Sequence, residues 1–370
     1  MKKIRRALLV LLLAYGAWLL IAVLRHPYPN TPADRDRLEV QGVYHIHSKF
    51  SDGMASADGI ARAAGRAGLD FFVLTDHGNP NDDCVAHQGW KDGVLALSGS
   101  ELSVHRGHLV ALGFRPPAGR FSRKTEEAVQ EVRGQGGFTI IAHPYSKTRW
   151  SWGDLAGYEG IELINGDTMV RGHILPSLPY LPALLLRPRL VLVKMLDDFS
   201  TVIQKWDALN RDTRIYGYFS ADAHVLHRLL FSFVRLHVLL DAPLDKGDAA
   251  AGTAVLEALR SGRFYNAVEA AAPASGFRFW GEQDGRAIPM GGSADPARPL
   301  TLQVRSPWRY GQKTVLIHDG ETLIVSEETS LRRDVRAPGF YRVEVTLPSR
   351  MGLNGRIPWI VSNPIFLRKD

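Results

Sequence analysis

Residues 44–53 read Tyr-His-Ile-His-Ser-Lys-Phe-Ser-Asp-Gly, and this stretch decides how the fold is interpreted. Residues 40–43 before it have strand-forming character. Because alternate residues of a strand point to one face, His45 and His47 are predicted to direct two imidazoles to a single point. Asp52 follows in a Ser-Asp-Gly turn. The stretch therefore predicts a metal site at the carboxyl end of a strand, where α/β proteins build their sites.

A second predicted strand ends in the same way. Residues 59–68 are rich in Ala and Arg and predict a helix, and residues 69–75 predict a buried strand that ends in Asp76 and His77. Strands that alternate with helical stretches are typical of βα repetition and of a largely parallel sheet. The polar residues of both strands are therefore expected at the same edge of the sheet.

This alternation continues to residue 270, and polar residues again follow the strands. Further strands are predicted over 94–98, 108–114, 138–142, 158–165 and 215–220, and helices over 125–133 and 198–210, while residues 253–260 and 264–268 close this part of the chain. Glu101 follows the first of these strands, His108 begins the second, His143 follows the third, and Asp222 and His224 follow the fifth. These residues are the further candidates for the metal site.

His45-x-His47, Ser51-Asp52-Gly53 and Thr75-Asp76-His77 together resemble the polymerase and histidinol phosphatase (PHP) superfamily of metal-dependent phosphoesterases. Two histidines on a half-exposed strand would by themselves be ordinary, so the further matches at strand ends distinguish this chain. The resemblance implies an α/β fold with a distorted (β/α)7 barrel, and a PHP-like metallohydrolase domain over residues 38–270.

The resemblance also implies nine metal ligands. A first ion is expected on His45, His47, Glu101 and Asp222, a second on Glu101, His108 and His143, and a third on Asp52, His77 and His224. Glu101 is expected to bridge, because each carboxylate oxygen can bind a different cation. Imidazoles and carboxylates suit zinc, manganese or iron, so two to three such divalent ions are expected. His108 is preferred to the nearby His105 because it begins an apolar strand.

Metal ions held close together lower the pKa of a bound water and clamp phosphoryl oxygens, so the resemblance implies phosphoester hydrolysis by a metal-bridging hydroxide. The same hydroxide can attack a carboxylic ester or a carbamate, which is the alternative activity. A second alternative is a catalytically inactive cell-envelope binding protein. Asp76 is expected to orient a ligand. Lys147 and Arg149 are candidates for contact with a substrate anion, or else are solvated loop charges.

Composition narrows the other possibilities. The formal net charge is +7, but Lys2, Lys3, Arg5 and Arg6 supply four of the positive charges, so a small-molecule substrate is expected rather than nucleic acid. Cys84 is the only cysteine, which excludes an intrachain disulfide and cysteine-based zinc motifs. The sequence contains neither a Gly-x-Ser-x-Gly elbow nor a Walker loop, which argues against α/β-hydrolases and nucleotide triphosphatases.

Residues 1–24 predict a transmembrane helix. The uncharged run 7–24 would be about 27 Å long as a helix, close to the ~30 Å hydrocarbon core of a bilayer. An uncleaved signal anchor is favoured, and a cleaved signal peptide is the alternative. Basic residues precede the run, so the positive-inside rule predicts a single-pass protein with a cytoplasmic amino terminus and a periplasmic or cell-surface catalytic domain. Residues 25–37, which contain Pro27, Pro29 and Pro32, predict a linker.

A second apolar stretch covers residues 175–196. Prolines and basic residues interrupt it, so a second membrane span is not expected. An inserted loop and helix packed on the barrel is one interpretation. The alternative is a segment that contacts the bilayer.

From residue 271 the hydrophobic period changes to two. Strands are predicted over 301–304, 314–317, 323–326 and 341–347, with Asp319-Gly320 as a hairpin turn. These features predict an antiparallel β-sandwich domain over residues 271–370. Residues 359–365 read Trp-Ile-Val-Ser-Asn-Pro-Ile and resemble the end of PHP hydrolases of the carbaryl-hydrolase-like kind.

Overall fold

The computed structural model describes residues 2–25, 36–115, 120–145, 150–307, 309, 311–348, 353 and 357–369. Lys147, Arg149 and most of the predicted linker lie outside these ranges. Helix α1 (Lys2–Arg25) begins the chain, and none of its residues is buried. This helix is long and apolar enough to cross a membrane, a property that signal sequences share.

Residues 39 to 267 form strands with helices between many of them. The strands are β1 (Glu39–Ile46), β2 (Phe71–Leu74), β3 (Gly89–Lys91), β4 (Val94–Val104), β5 (Gly107–Leu112), β6 (Phe138–Ile141), β7 (Gly160–Asn165), β8 (Tyr216–Ser220), β9 (Arg235–Leu239) and β10 (Phe264–Ala267). The helices are α2 (Ala57–Arg66), α3 (Asp82–Val85), α4 (Thr125–Gly134), α5 (Gly166–Ser177), α6 (Pro188–Lys194), α7 (Ser200–Asn210), α8 (His227–Leu230) and α9 (Ala251–Arg260). The strands and helices predicted for this part of the chain are confirmed, with ends shifted by a few residues.

Strand β9 has no counterpart in the sequence prediction, because Arg235 and His237 interrupt its apolar residues. Both are buried in the structure, where Arg235 donates to the Gln41 side chain at 2.8 Å and to the Ala67 carbonyl at 2.7 Å. Hydrogen bonds to residues far away in sequence thus allow a charged side chain to be buried in this strand. Such partners cannot be recognised from the local pattern.

The first eight strands bring their ends together. β1, β2 and β4 are parallel neighbours, β5 runs antiparallel between β4 and β6, and β6, β7 and β8 are again parallel. After β8 the chain meets β1 again, because the Ala221 N–H donates to the Tyr44 carbonyl at 3.1 Å and the Ala223 N–H donates to the His45 carbonyl at 3.2 Å. The residues that follow β1 and β8 therefore lie side by side.

Helix α2 shows how the helices hold these strands in place. The Ser56 side chain accepts a hydrogen bond from the Gly59 N–H at 3.2 Å and so caps the first turn. Ile60, Ala61 and Ala64 are completely buried in a cluster that includes residues of β1, β2 and β4. The small alanines let the helix lie close to the sheet, which fixes the spacing of β1 and β2.

The rest of the chain is β-structure. Its strands are β11 (Arg278–Gln283), β12 (Arg286–Pro289), β13 (Ser293–Ala294), β14 (Leu300–Arg305), β15 (Lys313–His318), β16 (Glu321–Ser326), β17 (Ser330–Val335), β18 (Gly339–Thr346), β19 (Ile360–Ser362) and β20 (Ile365–Leu367). β12, β11, β14 and β17 form a separate antiparallel sheet. Asp319 and Gly320 both have positive φ, at 50° and 89°, and form the predicted turn between β15 and β16.

Other strands of this region belong to the main sheet. β19 pairs with β10, with Tyr265 opposite Ser362, so one sheet continues across residue 270. β13 is also parallel to β20, so this sheet is not purely antiparallel. The Asn363 side chain accepts a hydrogen bond from the Gly217 N–H of β8 at 2.8 Å. The segment that begins at Trp359 therefore connects the β-structure after residue 270 to strands β8 and β10.

The segment between β7 and α7 also differs from its prediction. Instead of a loop and one helix, it forms α5, a 3₁₀ helix at Leu178–Leu185, and α6. Pro176 lies in the last turn of α5, and Pro179 and Pro182 lie in the 3₁₀ helix. Proline lacks the N–H that a continuous α-helix requires, which explains why the segment breaks into short pieces.

Candidate metal centre

Two histidines meet at the end of β1, but not through simple strand alternation. His45 has a left-handed φ of 64°, and the register between β1 and β2 shifts between Val43 and Ile46. The ring centres of His45 and His47 lie 5.1 Å apart. The sequence argument thus predicts the correct neighbours, whereas a local irregularity of the strand, rather than its pleat, brings them together.

Glu101 lies at the centre of the site, in the second half of β4 rather than beyond the strand end as predicted. Gly99 lets this half of β4 approach β5, since a Cβ at this position would lie 2.2 Å from the Ala111 carbonyl oxygen. Both carboxylate oxygens face imidazoles. Oε2 lies 3.2 Å from His45 Nε2, His47 Nε2 and His77 Nδ1, and Oε1 lies 2.7 Å from His108 Nδ1 and 3.0 Å from His143 Nε2.

Asp52 gathers a second set of histidines. Its Oδ1 lies 3.4 Å from His47 Nδ1, and its Oδ2 lies 3.6 Å from His77 Nε2 and 3.4 Å from His224 Nε2. These four residues offer ligand atoms that all lie within 4.8 Å of one another. His77 therefore stands between Glu101 and Asp52, with one ring nitrogen towards each carboxylate.

Asp222 and His143 complete the cluster, and both have left-handed backbones with φ of 45° and 28°. Asp222 Oδ1 lies 3.5 Å from His45 Nε2 and 3.2 Å from His47 Nε2. Such conformations cost non-glycine residues roughly 1–3 kcal/mol each and concentrate at functional sites. His45 carries the same strain, so the surrounding fold holds three candidate ligands in conformations that the local sequence disfavours.

The structure distinguishes His108 from His105 as a candidate metal ligand. His108 Nδ1 approaches Glu101, whereas His105 is exposed in the turn between β4 and β5. The structure thus brings all nine predicted ligands together and leaves His105 outside the cluster.

The donor atoms fit divalent cations. His45 Nε2, His47 Nε2 and Asp222 Oδ1 are buried and have no hydrogen-bond partner among the described residues. An unsatisfied buried polar atom costs about 1–3 kcal/mol, so the arrangement favours binding of a further group. Donor spacings near 3.2 Å are those expected around an ion with bonds of about 2.1 Å to nitrogen and oxygen. The residues present therefore suit metal ions.

Carboxylates and imidazoles shift one another's pKa in this site. Burial lowers the pKa of His47, but Asp222 and Glu101 outweigh that effect and raise it to about 9. Burial raises the pKa of Glu101, but His45 and hydrogen bonds from His108 and His143 hold it well below its ordinary value. A metal ion that binds His47 must therefore displace a proton at neutral pH.

Sequence reasoning missed Glu162, which orients two of the candidate ligands. Its Oε1 lies 2.6 Å from His45 Nδ1, and its Oε2 accepts a hydrogen bond from the His143 N–H at 2.8 Å. The Asn165 side chain donates to Glu162 Oε2 at 3.0 Å and to Asp222 Oδ2 at 2.9 Å. A lone acidic residue in the apolar run of β7 was the available signal, because a buried charge requires partners.

Asp76 lies behind the loop that carries His47 and Asp52. It is completely buried and accepts hydrogen bonds from the Ser48 N–H at 2.8 Å, from Ser48 Oγ at 2.8 Å and from Ser51 Oγ at 2.7 Å. These contacts fix the loop, so Asp76 occupies the place of an orienting residue.

A cavity of about 370 Å³ lies beside His143. Its walls include the apolar side chains of Met169 and Phe199 and the carboxylates of Asp197 and Asp198. Its described lining contains no Lys or Arg, and the predicted substrate residues Lys147 and Arg149 fall outside the described ranges.

Comparisons with known proteins give weak likenesses. No protein-family model matches the chain. An uncharacterized protein of Methanocaldococcus jannaschii is 26% identical over 136 residues, which cover 33% of this chain and 79% of that protein.

Two solved structures are also similar. A two-domain protein of Bacteroides vulgatus, said to contain a predicted PHP-like metal-dependent phosphoesterase, has a TM-score of 0.42 and 17% identity, with 87% of this chain and 94% of that chain covered. An amidohydrolase of Chromobacterium violaceum, with bound sulfate and no metal, has a TM-score of 0.30 and 17% identity, with 50% and 87% covered. Likenesses at this level assign neither a family nor an activity to this chain.

Proposed function

We propose that this chain is a metal-dependent hydrolase of the PHP superfamily and that its substrate is a phosphoester. The observation that carries the proposal is Glu101, a buried carboxylate that faces five imidazoles while Asp52 and Asp222 stand on either side. We take side chains of this kind, gathered where strands end, as a hydrolytic metal site rather than a stabilising ion pair, because the buried His45 Nε2, His47 Nε2 and Asp222 Oδ1 have no hydrogen-bond partner among the described residues.

Three ions are proposed, with the ligand groups that the motif resemblance implies. The two Glu101 oxygens face different histidines, so this carboxylate suits a bridging position between the first and second ions. The third ion would lie among Asp52, His77 and His224. When bound, such ions supply a hydroxide nucleophile at neutral pH and neutralise charge on phosphoryl oxygens.

The protein's own residues hold these ligands in the required state. An N–H on His45 Nδ1, donated to Glu162, leaves the lone pair of Nε2 directed into the site. Glu162 also receives the His143 N–H and so holds the strained backbone there. In this proposal, β1, β2 and β4–β8 form the distorted barrel, which the contact between Ala221 and Tyr44 closes.

Hydrolysis of a carboxylic ester or carbamate is the second candidate. The cavity beside His143 favours it, because Met169 and Phe199 give the cavity apolar walls and its described lining contains no Lys or Arg to bind a phosphate.

Attachment to a membrane is part of the proposal. Helix α1 would act as an uncleaved anchor with its basic amino terminus in the cytoplasm and the metal centre on the opposite side. The apolar side chains along α1 support this arrangement, since most of them are exposed and none is fully buried.

The test is an assay of the full-length protein in detergent against phosphomonoesters, phosphodiesters, aryl esters and carbamates, with metal content measured on the same sample. Chelated protein is the matched control. We expect phosphoester turnover with two to three bound ions, lost on chelation and restored by zinc, manganese or iron. Turnover of carbonyl esters alone would establish the second candidate, and a metal-free, inactive protein after reconstitution would overturn both.

A further inference from the structure

Exposed apolar side chains concentrate next to α1. Among the described residues beyond α1, one segment carries most of them: Ile174, Leu175, Leu178, Leu181, Leu185 and Leu186. Leu185 is 92% exposed and Leu175 is 77% exposed. We call residues 174–186 the apolar insertion. Soluble proteins rarely leave so continuous an apolar face in water, so its composition indicates a partner.

The apolar insertion is attached to the carboxyl-terminal half of α1. The Tyr15 hydroxyl donates to the Pro179 carbonyl at 2.7 Å, and the rings of Trp18 and Tyr180 lie 5.0 Å apart. Leu19 and Val23 pack against the small apolar cluster formed with α6. The two segments therefore present one continuous apolar surface.

The contact with Tyr15 determines how deep the apolar insertion would lie in a bilayer. Tyr15 is near the middle of the run 7–24, and the nine residues from there to Leu24 extend about 14 Å, half of the ~30 Å hydrocarbon core. A segment bonded to Tyr15 cannot remain in water when α1 crosses a bilayer. Pro179 and Pro182 have no N–H to satisfy there, and the Tyr15 hydroxyl satisfies the Pro179 carbonyl.

Basic side chains border the apolar insertion. Within residues 166–196, Arg171, Arg187, Arg189 and Lys194 are basic and Asp167 is the one acidic residue. The described lining of a neighbouring cavity of about 660 Å³ includes Arg66, Arg189, Arg228 and Arg235 and contains no Asp or Glu. Positive charge at the edge of an apolar face matches the anionic headgroups of a bilayer surface.

We propose that the apolar insertion is a membrane-docking surface whose partner is an anionic lipid bilayer, with its leucines in the hydrocarbon beside α1 and the arginines that border it, such as Arg187, among the headgroups. This inference rests on the membrane attachment proposed above and not on the metal chemistry. Because α5 begins just after Asn165 of the metal centre and is about 18 Å long, docking holds that centre within roughly 20 Å of the apolar insertion. The hydrolase would thus act on substrates at the membrane surface.

The test uses the full-length protein in vesicles of phosphatidylcholine and phosphatidylglycerol. An environment-sensitive fluorophore is attached to single cysteines at Leu185→Cys and Leu178→Cys, with Val325→Cys in β16 as the matched exposed control and Leu12→Cys as the α1 reporter. The native Cys84 is buried, and an unlabelled parent protein verifies that it does not react. Lipids with spin-labelled acyl chains then quench only fluorophores that lie in hydrocarbon.

We expect the labels at 178 and 185 to be quenched at least about twofold more than the label at 325, with blue-shifted emission. Quenching at 12 but not at 178 or 185 would overturn the docking surface and leave the anchor intact. Quenching at 178 and 185 without quenching at 12 would support docking and remove the anchor. Quenching at none of the three positions would overturn both.

Discussion

Two buried clusters in this protein combine histidine with glutamate, and they differ in whether the histidine nitrogens find partners. In the His237 network, formed by His237, Glu39, Glu269, Tyr265 and Arg278, His237 Nδ1 lies 2.8 Å from Glu39 and Nε2 lies 3.1 Å from Glu269. In the metal centre, the Nε2 atoms of His45 and His47 have no hydrogen-bond partner among the described residues. The same residue types therefore differ in use: both ring nitrogens of His237 have carboxylate partners within the protein, whereas the Nε2 atoms of His45 and His47 are open to an added cation.

Backbone conformation separates the two clusters as well. His45, His143 and Asp222 have positive φ, whereas no residue of the His237 network does. Unstrained residues with satisfied partners lower the free energy of the fold. Strained residues and buried polar atoms without hydrogen-bond partners raise the free energy of the fold, and such features persist where function requires them.

The largest expected effect is a loss of activity in the metal centre when Glu101 is changed. Glu101→Gln removes the charge that faces five imidazoles and one of the two equivalent oxygens needed to bridge. We expect turnover to fall by more than the ~10–100-fold typical of changes to outer partners, with fewer bound ions. Assays and metal analysis of full-length protein would measure this, with the exposed Glu328→Gln as control. Unchanged activity would refute the bridging assignment.

The corresponding change in the His237 network should affect stability instead. Glu39→Gln removes the charge that pairs with His237 and Arg278, and breaking a buried pair typically costs about 3–5 kcal/mol of unfolding free energy. Urea unfolding followed by tryptophan fluorescence would measure the loss. Activity per folded molecule should remain at the level of the Glu328→Gln control. A selective loss of activity at normal stability would contradict the division between the two clusters.

The His237 network should also make the protein less stable to unfolding at acid pH. Burial raises the pKa of Glu39, but His237 and Arg278 outweigh it and lower the pKa from 4.5 to about 2. Its contribution is therefore complete above pH 4.5 and is lost as pH falls towards 2, a loss of roughly 3 kcal/mol at 1.36 kcal/mol per pKa unit.

His237 sets the opposite limit. Burial lowers its pKa, but Glu269 and Glu39 outweigh that effect and raise it above 6.5, so its contribution is complete below pH 6.5 and declines as pH rises through the raised value. The network should thus stabilise most between about pH 4.5 and 6.5. Unfolding curves across this range would measure it, and Glu39→Gln should show a flatter acid limb than the native protein. Identical acid limbs would count against the role of this network.

The smallest expected effect on the metal centre comes from a change at Glu162. Like the carboxylates of the His237 network, Glu162 has hydrogen-bond partners, but those partners include the candidate ligands His45 and His143. Glu162→Gln keeps its size and weakens its hold on His45 and His143. We expect metal affinity to fall by about 10–100-fold, with turnover partly restored by excess metal. Metal titration monitored by calorimetry would measure the change. An affinity equal to that of Glu328→Gln would remove Glu162 from the site.

Local patterns predicted much of this molecule. The strand ends that carry His77, His143 and His224 were identified from short apolar runs, because buried strands and amphipathic helices leave a periodic signal. The hairpin at Asp319-Gly320 was predicted for the same kind of local reason, since those residues tolerate positive φ. Glu162 and β9 were not predicted, because their buried charges depend on partners far away in sequence.

The sequence by itself therefore determined the order of the elements, the residue types of the candidate ligands and the apolar character of α1 and of residues 174–186. Each of these follows from side-chain chemistry and from periods of a few residues. Only the tertiary structure decided that His45 turns inward through a left-handed backbone, that β19 extends the main sheet through β10, and that the apolar insertion lies against Tyr15. Those features arise from contacts between segments distant along the chain, and local propensity carries no information about which distant partner will be present.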